Sequence, residues 1–324
     1  MQNSSRFAGC ARAGGFEPKG AQRARMGAVV NIAIFGAGAV GCYYGAVLAR
    51  AGHAVTLVGR AAHVDAMRAR GLLLETASGV QALAVHAGTE ASGVRGAELV
   101  LCCVKSGDTE GAAAQMAPHL APGAVVLSLQ NGVDNAARLR SALAQEVIAA
   151  VVYVATEMAA PGHVRHHGRG ELVLGRSPSA ARVAALLAAA GIPTTVSEDV
   201  ASALWAKLIL NCAFNGLSAI TRMPYGRLFE QEGARELMRA VVDECLAVAS
   251  ADGVRLPGDA WEEVARIARS MPAQFSSTAQ DLARGRRSEI DHLNGYVVRR
   301  GRAQGTPVPV NQVLWTLVRL IEAQ

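Results

Sequence analysis

Residues 31–52 read NIAIFGAGAVGCYYGAVLARAG, and their pattern decides the fold. The run AVVNIAIF (28–35) is short, apolar and rich in β-branched side chains, as expected of a strand buried in a parallel sheet. AVGCYYGAVLARAG (39–52) has helical character and ends at Gly52, a stop signal. Between them Gly36, Gly38 and Gly41 form G-x-G-x-x-G in the strand-then-helix context that this motif needs. Gly36 permits the tight turn, Gly38 lets a pyrophosphate approach the backbone, and Gly41 lets helix and strand pack closely. The pyrophosphate then meets free N–H groups at the positive end of the helix. The plainer alternative is a glycine-rich turn in an unrelated α/β protein. The correct flanks favour dinucleotide binding, with Gly36, Ala37, Gly38, Ala39, Val40 and Gly41 as the candidate cofactor loop.

The next strand, HAVTLVGR (53–60), addresses which dinucleotide binds. An NAD site usually closes this strand with an acid that holds the ribose 2′-hydroxyl. Here it closes with Gly59 and Arg60. An arginine at this place can grip a 2′-phosphate, which favours NADPH, although Arg60 also reads as an ordinary surface residue.

Further apolar strands lie in ELVLCCVK (98–105), GAVVLSLQNG (123–132) and EVIAAVVYVA (146–155), with helical stretches between. Strands alternating with helices predict a doubly wound parallel sheet of the Rossmann type. GHVRHHGRGELVLG (162–175) reads as a hairpin with a glycine-containing turn, whose His163, His166 and His167 are solvated strand residues rather than a metal site. Near Glu198 the character becomes helical throughout. The expected layout is a tail over 1–26, a dinucleotide-binding domain over 27–197, and an all-helical substrate and catalytic domain over 198–324.

The chain has 324 residues, 51% hydrophobic and 18% charged, enough for two domains with a sizeable core. Its formal charge of +6 is uneven. Residues 1–26 carry five basic residues and one acid, so the basic pI reflects this tail more than a nucleic-acid footprint. The tail is a transit-type segment, a disordered extension, or a product of a start placed before Met26. The six cysteines form no C-x-x-C pair and fit buried free thiols, and no Cys/His clustering suggests a metal. No uninterrupted apolar stretch reaches the length of a membrane span.

Ligands of parallel sheets bind beyond the carboxyl ends of the strands. Lys105 follows one strand, and Gln130, Asn131 and Gly132 follow another. Singly these are a lysine leaving a sheet and an Asn-Gly turn; together they mark the cofactor edge. In LWAKLILNCAFNGLSA (204–219), Lys207, Asn211 and Asn215 recur every four residues on an otherwise apolar helix. Unpaired polar groups in a buried helix are costly, so the ridge makes sense facing a polar cleft. Glu289, Asp291 and Asn294 begin an amphipathic stretch, where the acids are equally a second polar cluster or first-turn residues favoured by the helix dipole.

GAGAVG (36–41), LQNG (129–132), W-x-K-L-x-x-N-C-x-x-N-x-L-S-A-I (205–220) and SS-x-x-Q-D-x-x-x-G-R-R-S-E-I-D-x-L-N-G (276–295) together resemble the ketopantoate reductase (2-dehydropantoate 2-reductase) family. The likeness runs from about residue 30 to the C-terminus. It implies NADPH-dependent reduction of a 2-oxo acid to a D-2-hydroxy acid in pantothenate and coenzyme A synthesis, in the cytoplasm. It further implies Lys207 as general acid and Glu289 as the residue that organises it and contacts substrate. By the same resemblance Asn131 fixes substrate and nicotinamide, Ser277 binds the carboxylate, and Asn211 and Asn215 line the pocket. Arg60 and Lys105 match cofactor-contacting positions. Two places depart from the pantoate-forming pattern, which has Asn where this chain has Tyr225 and Gln274. Another bulky 2-oxo acid is therefore the alternative substrate, and a non-catalytic NADP(H)-binding sensor is a third reading. The expected partner is a small 2-oxo acid, with a homodimer left open and neither nucleic acid nor membrane expected.

Overall fold

The computed structural model describes residues 28–324, so the expectations for 1–26 lie outside the described residues. Ten strands form one sheet: β1 (Asn31–Phe35), β2 (Ala54–Val58), β3 (Leu72–Thr76), β4 (Gly79–Leu83), β5 (His86–Gly88), β6 (Leu99–Cys102), β7 (Val125–Ser128), β8 (Glu146–Ala160), β9 (His163–Gly175) and β10 (Thr194–Ser197). Five helices accompany them: α1 (Ala39–Arg50), α2 (Ala61–Arg70), α3 (Thr109–Met116), α4 (Asn135–Ala142) and α5 (Ala180–Ala189). Seven more follow: α6 (Val200–Thr221), α7 (Tyr225–Phe229), α8 (Ala234–Ala251), α9 (Ala260–Ser270), α10 (Ser277–Ala283), α11 (Asn294–Gln304) and α12 (Pro309–Glu322).

Strands β5-β2-β1-β6-β7-β8 are parallel in that order, the Rossmann arrangement. Side chains alternate across it. Ile32 and Ile34 enter one core layer with Cys42, Tyr44 and Leu48 of α1, while Ala33 and Phe35 enter the other with Ala112, Met116 and Leu139. Both faces are covered, so the strands are apolar throughout rather than alternating in polarity.

Beyond β8 the sheet changes direction. β9 pairs antiparallel with β8, β3 runs parallel to β9, and β4 antiparallel to β3. The hairpin expected within 162–175 is corrected here. The chain reverses at Pro161–Gly162, and Gly168 and Gly170 sit inside one continuous strand, where the register with β8 skips His167 and Gly170. Their positive φ angles (146° and 148°) bend β9 without turning it back, because the 15-residue β8 pairs along its whole length.

The helical region begins at α6, whose N-cap Asp199 accepts a hydrogen bond from the Ser202 amide. It passes the length and composition test for a membrane span, but its apolar face supplies Trp205, Leu208, Cys212 and Phe214 to the core formed with α8, α9, α11 and α12. Asp291 and Glu289 precede α11 in a separate short turn, and α11 has no acid in its first turn. The dipole reading of these acids therefore does not hold. Asp291 instead accepts hydrogen bonds from Trp315 and Arg319 of α12.

Candidate active site

The glycine loop joins β1 to α1 over the end of the sheet. Gly36, at φ 111°, has no room for a side chain: a Cβ would lie 2.7 Å from the Cys103 carbonyl carbon. At Gly41 a Cβ would lie 2.2 Å from the Gly36 oxygen. At Gly38 the corresponding space is open, and Gly38 caps α1 with no side chain on the helix's first N–H groups. Free amides facing open space at a helix N-terminus suit a pyrophosphate. Arg60 caps α2 just past β2, exposed and with no hydrogen-bonded side-chain partner among the described residues. This edge fits a dinucleotide.

Across the cleft, Lys207 points from α6 to the sheet. Its Nζ donates to Asn131 Oδ1 at 3.0 Å and to the Val152 carbonyl of β8. The other end of the same amide, Asn131 Nδ2, donates to Glu289 Oε2 at 2.9 Å. Glu289 Oε1 also accepts from the backbone and hydroxyl of Ser106, each at 2.9 Å. One asparagine thus carries ammonium on its oxygen and carboxylate on its nitrogen. Burial pushes the Lys207 pKa down to about 8, Glu289 partly opposes this, and Arg169 reinforces it.

A hydrogen-bonded web holds this arrangement, and of its members Ser106, Thr109 and Asn135 were not singled out from the sequence. Ser106 and Thr109 are fully buried and Asn135 nearly so. The Asn135 side chain donates to the Asn131 carbonyl at 2.6 Å and lies 3.0 Å from Ser106 Oγ, while Gln130 Nε2 donates to Thr109. All lie just past strand ends, in KSGDT and QNGVDN, where polar residues next to apolar strands were the available signal.

The remaining candidates separate. Lys105 pairs with Asp281 Oδ2 at 2.8 Å and donates to the Arg287 carbonyl, tying the sheet edge to the helical region. Asn211 makes no side-chain hydrogen bond to a described residue, and its amide is available to a ligand. Asn215 is buried and lies within hydrogen-bond reach of Ser277 Oγ at 3.4 Å. Tyr225 stacks on Phe214 at 4.1 Å, and its backbone amide donates to the Gln274 carbonyl. The two positions that depart from the family pattern are thus neighbours on one wall.

The model for ketopantoate reductase PanE/ApbA matches residues 32–179, and that for its C-terminal part matches 199–322. A 2-dehydropantoate 2-reductase of Halobacterium salinarum is 36% identical, with 90% of this chain and 99% of that protein covered. The chain belongs to the ketopantoate reductase family. A crystal structure of a PanE/ApbA family ketopantoate reductase from Ralstonia eutropha is 63% identical, with TM-score 0.89, covering 90% of this chain and 98% of the other. A D-mandelate dehydrogenase, solved with NADH and anilino(oxo)acetate, shares the fold at 24% identity and TM-score 0.85, covering 90% of this chain and 98% of its own. Family membership makes the chain an NAD(P)-dependent oxidoreductase.

Proposed function

We propose that the chain reduces 2-dehydropantoate to D-pantoate with NADPH, using Lys207 as the general acid. The observation that carries this reading is the Lys207–Asn131–Glu289 chain, which joins the helical region to the ends of β6 and β7. The Gly36–Gly41 loop would hold the pyrophosphate, and Arg60 would hold the 2′-phosphate. Bound there, the cofactor supplies a hydride to the ketone carbon. Charge then builds on the ketone oxygen, where Lys207 stabilises it and gives up its proton. Asn131 keeps that ammonium aimed and passes the influence of Glu289 to it. Asn211 and Asn215 lie further along the same helix face, and Ser277 of α10 meets Asn215 there, suited to the rest of a small oxo acid. A pKa near 8 leaves Lys207 charged at neutral pH yet a better proton donor than an exposed lysine.

The second reading, another bulky 2-oxo acid, is favoured by the Tyr225–Gln274 wall, which puts an aromatic ring and a longer amide where pantoate-forming relatives have asparagines. Steady-state kinetics on a panel of 2-oxo acids with NADPH and NADH tests both. Highest kcat/KM for ketopantoate with NADPH is expected. A strong preference for a different oxo acid would replace the substrate, and no turnover of any would remove the reading.

A further inference from the structure

Among the described residues only Arg169 and Arg222 adopt a positive φ without being glycine. Arg222 ends α6, where a left-handed residue closes a helix. Arg169 has no such role. It lies within β9 at φ 61°, between Gly168 and Gly170, beside the register shift at Gly170. Glycine would adopt this backbone without strain, so any role of Arg169 lies in its side chain. Its guanidinium stands 4.5 Å from the Tyr153 ring centroid. The Lys207 ammonium stands 6.0 Å from the same centroid. Two cations thus share one ring in the wall of the cleft. Arg169 also borders an open cavity of about 300 Å³, with His167, Arg266, Ile267 and Met271.

We propose that Arg169 is a positioning residue for the reaction: held by the strained Gly-Arg-Gly stretch against the Tyr153 ring, its charge sets the field in which Lys207, near the same ring, works. This rests on the reading of Lys207 as proton donor. The groups bearing on Lys207 are few. Glu289, reached through Asn131, retains the proton, and Arg169 repels it. The Tyr153 phenol is itself held above its usual range by burial and stays neutral. Glu171 pairs with Arg169 at 2.7 Å, and Glu263 of α9 faces it, so both damp its effect. Lys105 and Asp281 pair with each other beside Glu289. At a separation of at most about 10.5 Å, with this damping and a half-exposed guanidinium, the expected effect is about half to one pH unit.

The test compares Arg169→Gln and Arg169→Lys with the parent, by the pH profile of kcat and by NMR titration of the Lys207 side chain in protein labelled at lysine. Loss of the charge in Arg169→Gln raises the Lys207 pKa. Activity near pH 9 is then about two- to fivefold above the parent, relative to each enzyme's own plateau. Arg169→Lys keeps the parent profile. A Lys207 titration unmoved in Arg169→Gln, or moved equally in Arg169→Lys, overturns the proposal. The titration needs no turnover, so a Lys207 that shifts by NMR in an enzyme whose kcat does not follow it supports the coupling and rejects the general-acid reading instead.

Discussion

Replacing Asn131 by alanine removes both hydrogen bonds that join Lys207 to Glu289 while leaving either charge in place. A hydrogen bond to a charged group contributes about 1.5–3 kcal/mol net. Neither partner is stranded. Lys207 keeps the Val152 carbonyl, and Glu289 keeps two donors from Ser106. The loss therefore falls short of two full bonds, at about 2–3 kcal/mol of transition-state stabilisation, or about 30- to 150-fold in kcat/KM. The assay is steady-state NADPH oxidation with ketopantoate, run beside cofactor binding and thermal melting of the same variant. The fall should be far larger than any change in NADPH affinity, and the melting temperature should drop only slightly because Asn131 is half-buried. Asn131→Asp, which sets a carboxylate against Glu289, should fall at least as far. A kcat/KM for Asn131→Ala within about threefold of the parent would refute the bridging role.

Other outcomes follow from the same geometry. Lys207 donates only when protonated, and its pKa lies near 8, so kcat should be level below that pH and fall about tenfold per unit above it. A level rate to beyond about pH 9 would contradict this. Arg60→Gln should raise the KM for NADPH about tenfold and leave that for NADH unchanged, read from paired kinetics. Gly38→Ala fills open space and should melt like the parent while losing NADPH affinity. Gly41→Ala drives a Cβ into the Gly36 carbonyl and should lower both melting temperature and affinity, compared by calorimetry.

How far the chain could be read in advance depended on the range of the forces involved. The β1–α1 unit was legible because two periodicities and three glycine positions all lie within 22 residues. α6 was legible from an apolar run with polar residues spaced by four. β3 to β5 were not, since they are short and partly exposed, and only pairing with β9 and β2 makes them strands. The Gly168–Gly170 stretch looked like a turn because a positive φ is the local signature of a turn and of an irregular strand alike; the distant pairing with β8 decides between them. At the site, the four-residue spacing of Lys207, Asn211 and Asn215 marked the helix face. It could not show that Asn215 would be buried against the start of α10 while Lys207 reached across to the sheet. Glu289 was visible as an acid of unsettled role, and its partner Ser106 lies 183 residues away in sequence. Such contacts are set by how the helical region docks on the sheet, which no local pattern encodes.

The central claim is that Lys207 delivers the proton. Its most direct test is single-turnover reduction of ketopantoate by Lys207→Ala, with NADPH binding measured on the same sample. The expected result is a loss of about 10²–10⁴ in rate with NADPH affinity retained. A rate within a few fold of the parent, at equal cofactor occupancy, would contradict it.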